Sequence, residues 1–122
     1  MIRRFKLDSG FDISITLEID TKVVTEELAN SVATFWSSKD EMAEVAVDVW
    51  EATARYAASE LIPLLIEGCT PKGAAAELHE REGWCWPGDF GIHIIDWELP
   101  DLSAVGIECE EIERKEEEDE DE

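Results

Sequence analysis

The chain has 122 residues, 44% of them hydrophobic, and this length suits one domain with a single core. Its 31 acidic and 10 basic residues give a formal net charge of −21. Such a charge argues against direct binding to nucleic acid or to anionic lipid, because both ligands require a basic protein surface.

The sequence shows no secretory or membrane-spanning segment. Arg3 and Arg4 are not followed by the apolar run of a signal peptide, and the most apolar stretch, residues 61–66, is too short to span a bilayer. The three cysteines are odd in number and share no short spacing, which disfavours a disulfide framework. We therefore expect a soluble protein in the cytoplasm of a bacterial host cell.

Two strands are predicted first, at residues 2–7 and 11–20, around a turn at Asp8-Ser9-Gly10. Strict alternation along the second strand predicts one buried face and one acidic face. Arg4 and Lys6 lie across from the acids, so we expect weak ion pairs between the strands. The side chains expected on the buried face are Phe11, Ile13, Ile15, Leu17 and Ile19.

The longest predicted element is a central helix over residues 37–68. Ser38 stands at its N-cap and Gly68 at the position that follows its C-cap. Pro63 is expected to bend or end the regular helix, because proline lacks the backbone N–H donor. Apolar residues recur at helical spacing along one face: Met42, Val45, Ala46, Val49, Thr53, Ala57 and Leu61.

A shorter helix is predicted on each side of the central one. Thr25 caps the first, which runs to about Trp36. Thr70 caps the last, with Pro71 at its first position, and this helix is expected to end near Gly83.

Residues 91–99 and 105–112 are predicted to form two final strands. The resulting order, ββαααββ, predicts a two-layer α+β domain over residues 1–112, with helices on one face of a four-stranded, mostly antiparallel sheet. Residues 113–122 are an acidic tail. Its last seven residues are all acidic, which predicts disorder.

No motif for catalysis or for metal binding is present. The chain lacks a glycine-rich phosphate loop, and its two histidines are few for a catalytic site. His79, Cys85 and His93 lack the paired spacing of zinc ligands. We therefore expect the cysteines to be buried and structural rather than ligands of a zinc ion. We expect no enzyme activity, no metal and no cofactor.

An acidic face on the central helix is the main functional signal. It comprises Asp40, Glu41, Glu44, Asp48 and Glu51. The helix dipole accounts for acids in the first turn but not for the last two. Steps of three or four residues would space the charges by about 5–6 Å, comparable with the phosphates of a duplex. This pattern favours a DNA-mimicking surface, and a merely solvated acidic face is the alternative.

The loop WCWPGDFG, residues 84–91, contains two of the five tryptophans. Aromatic side chains dominate core burial, so filling of the core is the favoured interpretation. Alternatively, Trp84 or Trp86 is exposed and anchors a partner protein.

Three short motifs resemble a small bacterial family of unknown function associated with plasmids, prophages and other mobile elements. They are Phe35-Trp36, Glu82-Gly83-Trp84 and Gly91-Ile92, and the likeness covers about residues 25–110. The resemblance implies a mobile-element context, in which small acidic inhibitors of host defence are often encoded, several of them similar to DNA.

Charge and resemblance together lead to one principal hypothesis. The protein would be a non-enzymatic inhibitor that mimics nucleic acid and binds a basic nucleic-acid-binding protein, either a CRISPR effector subunit or a restriction enzyme. The alternative is an accessory interaction module of a mobile element that uses the tryptophan loop, and an enzyme comes third.

Overall fold

The computed structural model describes residues 1–36, 39–100, 104–105 and 107–113, without the side chain of Lys39. The α+β class is confirmed, but the element order is ββααααβ, so the predicted order ββαααββ is wrong. The elements are β1 (Ile2–Gly10), β2 (Ile13–Asp20), α1 (Glu26–Phe35), α2 (Lys39–Val45), α3 (Val49–Ile66), α4 (Pro71–Glu80) and β3 (Ile92–Glu98).

The sheet has three antiparallel strands in the order β1-β2-β3. The predicted four-stranded sheet is wrong, since residues 104–105 and 107–113 form no strand, and Val105 and Ile112 are exposed. Helix α3 packs on β1 and β2, and α4 packs on β3. The two helices therefore cover three strands, and a further strand would have no helix against which to bury its apolar residues.

The turn between β1 and β2 lies later than predicted. Strand β1 continues to Gly10, and the turn residues are Phe11 and Asp12, with φ of 53° and 60°. Positive φ at both central residues is the requirement of a type I′ hairpin turn. Phe11 is 91% exposed at this tip, so its predicted place on the buried face is wrong.

The predicted alternation of buried and more exposed side chains along β2 is confirmed at the centre of the core. Ile15, Leu17 and Ile19 are fully buried beneath the helices. On the opposite face, Arg4 forms the expected ion pair with Glu18, with Nη2 and Oε2 2.7 Å apart. Because Arg4 is largely exposed, this pair contributes little to stability, about 0–1 kcal/mol.

The prediction of a single central helix is wrong, because the chain leaves the helical conformation between α2 and α3. Asp48 has an extended backbone, with φ −153° and ψ −178°. Its Oδ1 accepts hydrogen bonds from the N–H groups of Trp50 (3.1 Å) and Glu51 (3.0 Å), which makes Asp48 the N-cap of α3. An aspartate within an apolar helical pattern therefore starts a new helix here. The predicted cap Ser38 lies outside the described residues.

Most of the predicted helix ends are confirmed. Thr25 and Thr70 accept the capping hydrogen bonds of α1 and α4. Gly68 has the positive φ, 104°, expected after the C-cap of α3. Helix α3 does not end at Pro63 but runs on to Ile66, with buried leucines on either side of the proline. Helix α4 ends at Glu80, ahead of the predicted Gly83.

Candidate interaction surfaces

Helix α2 presents three of the five predicted carboxylates to solvent. Asp40, Glu41 and Glu44 are exposed, and the described side chains include no ion pair with any of them. Beside them, Val45 and Val47 are 58% and 85% exposed. We call these five residues the α2 surface, in which carboxylates lie next to unburied apolar groups.

Asp48, by contrast, has two structural partners besides solvent. Its Oδ2 lies 2.6 Å from Nη1 of Arg3, while Oδ1 caps α3. Partial desolvation raises the pKa of Asp48, but the N–H of Glu51, the Arg3 guanidinium and the N–H of Trp50 outweigh it and lower the pKa below its ordinary value. These contacts hold the half-exposed carboxylate of Asp48 in its ionised form.

Glu51 also has an arginine partner. Its Oε2 accepts a hydrogen bond from Nε of Arg55 at 3.0 Å, one helical turn later. Asp48 and Glu51 thus belong to α3 and are each offset by a positive charge. The predicted row of five evenly spaced charges on one helix is wrong. The break at Asp48 separates three carboxylates that have no ion-pair partner among the described side chains from two that have one.

All arginines of the described chain form intramolecular ion pairs. The carboxylates in these pairs are offset by a positive charge, and the other described carboxylates form no ion pair with a described side chain. The pairs are Arg3–Asp48, Arg4–Glu18, Arg55–Glu51 and Arg81 with both Glu60 and Glu77. The carboxylates of the α2 surface have no such neighbour among the described side chains.

Trp84 belongs to the core, as the favoured interpretation of the tryptophans predicts. Its side chain is fully buried, and Nε1–H donates to Oε2 of Glu60 at 2.7 Å. Arg81 binds the same carboxylate from the other side at 3.3 Å. The ring of Trp84 therefore does not face a partner.

Trp86 is half-buried and packed into an aromatic cluster. Its Nε1–H donates to the carbonyl oxygens of Asp89 and Phe90, each 3.2 Å from Nε1. His79 donates Nε2–H to the carbonyl of Trp86 at 2.6 Å and stacks on Phe90, with ring centroids 4.8 Å apart. The tryptophan loop is thereby fastened to α4. Sequence reasoning missed this role of His79, since no periodic pattern links residue 79 to residue 86.

A groove of about 440 Å³ lies between the edge strand β1 and α3. Phe5 and Leu7 line it on one side, and the Glu51–Arg55 ion pair lines it on the other. Charges of both signs meet at this groove, so it favours no particular charge on a ligand.

The described residues contain no group of three histidine, cysteine, aspartate or glutamate side chains placed to hold a metal ion. The expectation of buried cysteines is wrong for Cys85 and Cys109, which are exposed, while Cys69 is half-buried. Within the same described ranges, no helix has the length and apolar character needed to cross a membrane.

This acidic α+β domain belongs to a family defined by sequence. Residues 14–122 match the model of the family described as "Protein of unknown function (DUF2528)", so the chain is a member of that family. No curated protein and no solved structure matches the chain. The resemblance to a family of unknown function is confirmed, and the family supplies no activity.

Proposed function

We propose that this protein is a non-enzymatic inhibitor that binds a basic nucleic-acid-binding protein in place of nucleic acid. A CRISPR effector subunit or a restriction enzyme is the favoured partner, in keeping with a mobile-element origin. One observation carries the proposal: Asp40, Glu41 and Glu44 are exposed and lack a cationic partner among the described side chains.

Electrostatics supports this choice of partner. A chain of net charge −21 attracts basic surfaces over a range of several ångströms and accelerates encounter with them. Clustered carboxylates without internal partners interact more strongly with an external cation than paired ones do, because a paired carboxylate must first give up its arginine. Contact would therefore begin at α2 rather than at Asp48 or Glu51.

The exposed valines of the α2 surface supply the second part of an interface. Protein interfaces have an apolar centre surrounded by a polar rim. Val45 and Val47 provide the apolar groups and the three carboxylates provide the rim. The same surface would repel nucleic acid itself, which is why the partner is a protein.

The proposal is tested by capture of partners from the lysate of a bacterium that has CRISPR and restriction systems, with and without competing duplex DNA. The test variant carries Asp40→Lys, Glu41→Lys and Glu44→Lys. The matched control carries Glu67→Lys, Glu80→Lys and Glu82→Lys, which makes the same change of charge at exposed sites near the ends of α3 and α4.

Nucleic-acid-binding proteins should be captured by the wild type and by the control, released by duplex DNA, and lost from the α2 variant. Equal loss from both variants would attribute binding to net charge alone and refute a role for α2. A partner that DNA does not release would refute mimicry and favour the accessory-module alternative.

A further inference from the structure

A second groove, distinct from the α2 surface, lies between α4 and the edge strand β3 and has a volume of about 440 Å³. Lys72, Ala75 and His79 form the wall that belongs to α4. Phe90, Ile92 and Ile94 form the opposite side. The groove therefore runs beside the outer edge of the sheet.

Within the described residues, strand β3 has backbone groups along this groove that no other strand pairs. In the described chain it pairs with β2 alone, on its other edge. Asp20 N–H donates to the Gly91 carbonyl at 2.9 Å, and hydrogen-bonding positions alternate along an antiparallel pair. His93 therefore faces β2, and the N–H and C=O groups of Ile92 and Ile94 point outward.

The side chains of the groove are held in place before any ligand arrives. Phe90 stacks on His79 and contacts Trp86, with ring centroids 4.8 and 5.4 Å away. Ile92 is buried in the core. On the opposite wall, the small side chains of Ala75 and Ala76 on α4 leave the groove open. A preformed apolar groove loses little conformational entropy when it binds a ligand.

The charge of this groove is opposite to that of the rest of the molecule. None of the residues that line it is acidic, although the chain has 31 acids. Lys72 forms no ion pair with any described side chain. A carboxylate on a ligand would thus meet, at the α4 side of the groove, an ammonium group that no described side chain neutralises.

We propose that the groove binds an extended peptide segment of a partner protein, which adds to β3 as a strand. The outward backbone groups of Ile92 and Ile94 would bond the peptide backbone, as in other cases of strand addition to a sheet edge. One apolar side chain of the peptide lies on the half-buried Phe90 and Ile94, and an acidic side chain pairs with Lys72.

The test begins with a displayed library of linear ten-residue peptides selected on the full chain at 0.15 M salt, where charges beyond about 8 Å are screened. A fluorescent copy of the best peptide is titrated against wild type, Ala76→Trp, which fills the groove, and Lys72→Glu. Ala43→Trp, at an exposed alanine of α2, is the matched control.

Selected peptides should combine apolar residues with an acid. Affinity should fall about tenfold or more in Ala76→Trp and Lys72→Glu and stay unchanged in Ala43→Trp. Bound peptide should also slow hydrogen exchange at the amides of Ile92 and Ile94. Failure to select any peptide, equal binding to Ala76→Trp, or unprotected amides would overturn the proposal. None of these outcomes depends on the proposed function of the α2 surface.

Discussion

Arg3 and Asp48 join the first strand to the start of the longest helix. Nη1 of Arg3 lies 2.6 Å from Oδ2 of Asp48, and the guanidinium also lies over the rings of Phe5 and Trp50, 5.0 and 5.8 Å from their centroids. A carboxylate that the sequence pattern suggests for partner binding thus caps a helix and fixes it to the sheet.

Replacement of Asp48 separates capping from ion pairing. Asp48→Ala removes both and should lower the free energy of unfolding by about 1–2 kcal/mol. Asp48→Asn keeps a capping side chain and loses only the half-exposed pair with Arg3, so its cost should be about 0–1 kcal/mol. Urea unfolding measures both values. Equal costs for the two variants would show that the ion pair, rather than the cap, supplies the stability.

The lowered pKa of Asp48 predicts a dependence on acid. A group whose pKa is depressed by folding stabilises the fold above its unfolded pKa, about 3.9 for aspartate, and loses that contribution as pH falls through the folded pKa. The gap in unfolding free energy between wild type and Asp48→Asn should therefore be constant from pH 7 to about 5. It should shrink below about pH 4. A gap that does not change with pH would contradict the ionised state assigned to Asp48.

Local signals in the sequence predicted local structure well. Thr25, Thr70 and Gly68 mark helix ends through side-chain or backbone chemistry that depends on few neighbours. The break at Asp48 was missed because its side chain can either face solvent in mid-helix or cap a new helix. Arg3, 45 residues away, favours the second choice. A tertiary contact of that kind leaves no mark in helical periodicity.

The turn of the first hairpin offers a stabilising substitution. Phe11 and Asp12 both have positive φ, which costs about 1–2 kcal/mol for a residue with a bulky side chain. Phe11→Asn with Asp12→Gly supplies the residues that a type I′ turn prefers and should raise the free energy of unfolding by about 1–2 kcal/mol. Phe11→Ala removes the exposed ring but keeps the backbone strain, so it should change stability little. If the alanine variant is also more stable than wild type, the destabilising feature is the exposed ring of Phe11 rather than the backbone conformation.

Trp84 should be sensitive to the loss of one hydrogen bond. Trp84→Phe leaves Glu60 without its indole donor inside the fold and should cost about 1.5–3 kcal/mol, the range for hydrogen bonds to charged groups. Trp97, which is 43% exposed, provides the control, and Trp97→Phe should cost less than about 0.5 kcal/mol. Thermal and urea unfolding compare the two. A small effect at Trp84 would mean that Arg81 alone satisfies Glu60.

The candidate surfaces were predictable only in part. The exposure of Asp40, Glu41 and Glu44 follows from their charge, as the sequence predicted. The groove beside β3 could not be predicted from the sequence. It depends on which strand lies at the edge of the sheet and on how His79 positions Phe90. Residues distant in sequence create it, and composition and spacing contain no record of their meeting.

The pairing of β2 with β3 has a consequence for the order in which the chain assembles. Strands β1 and β2 are joined by a two-residue turn, whereas about 70 residues containing all four helices separate β2 from β3. The cost in entropy of closing a chain segment grows with its length, so the hairpin forms first and β3 is added last. During synthesis on the ribosome, β2 keeps one unpaired edge until β3 emerges. Residues 1–91, which precede β3, have 17 acids and 8 bases and thus a net charge of −9. Repulsion between these negative segments opposes strand pairing between neighbouring nascent molecules during that interval.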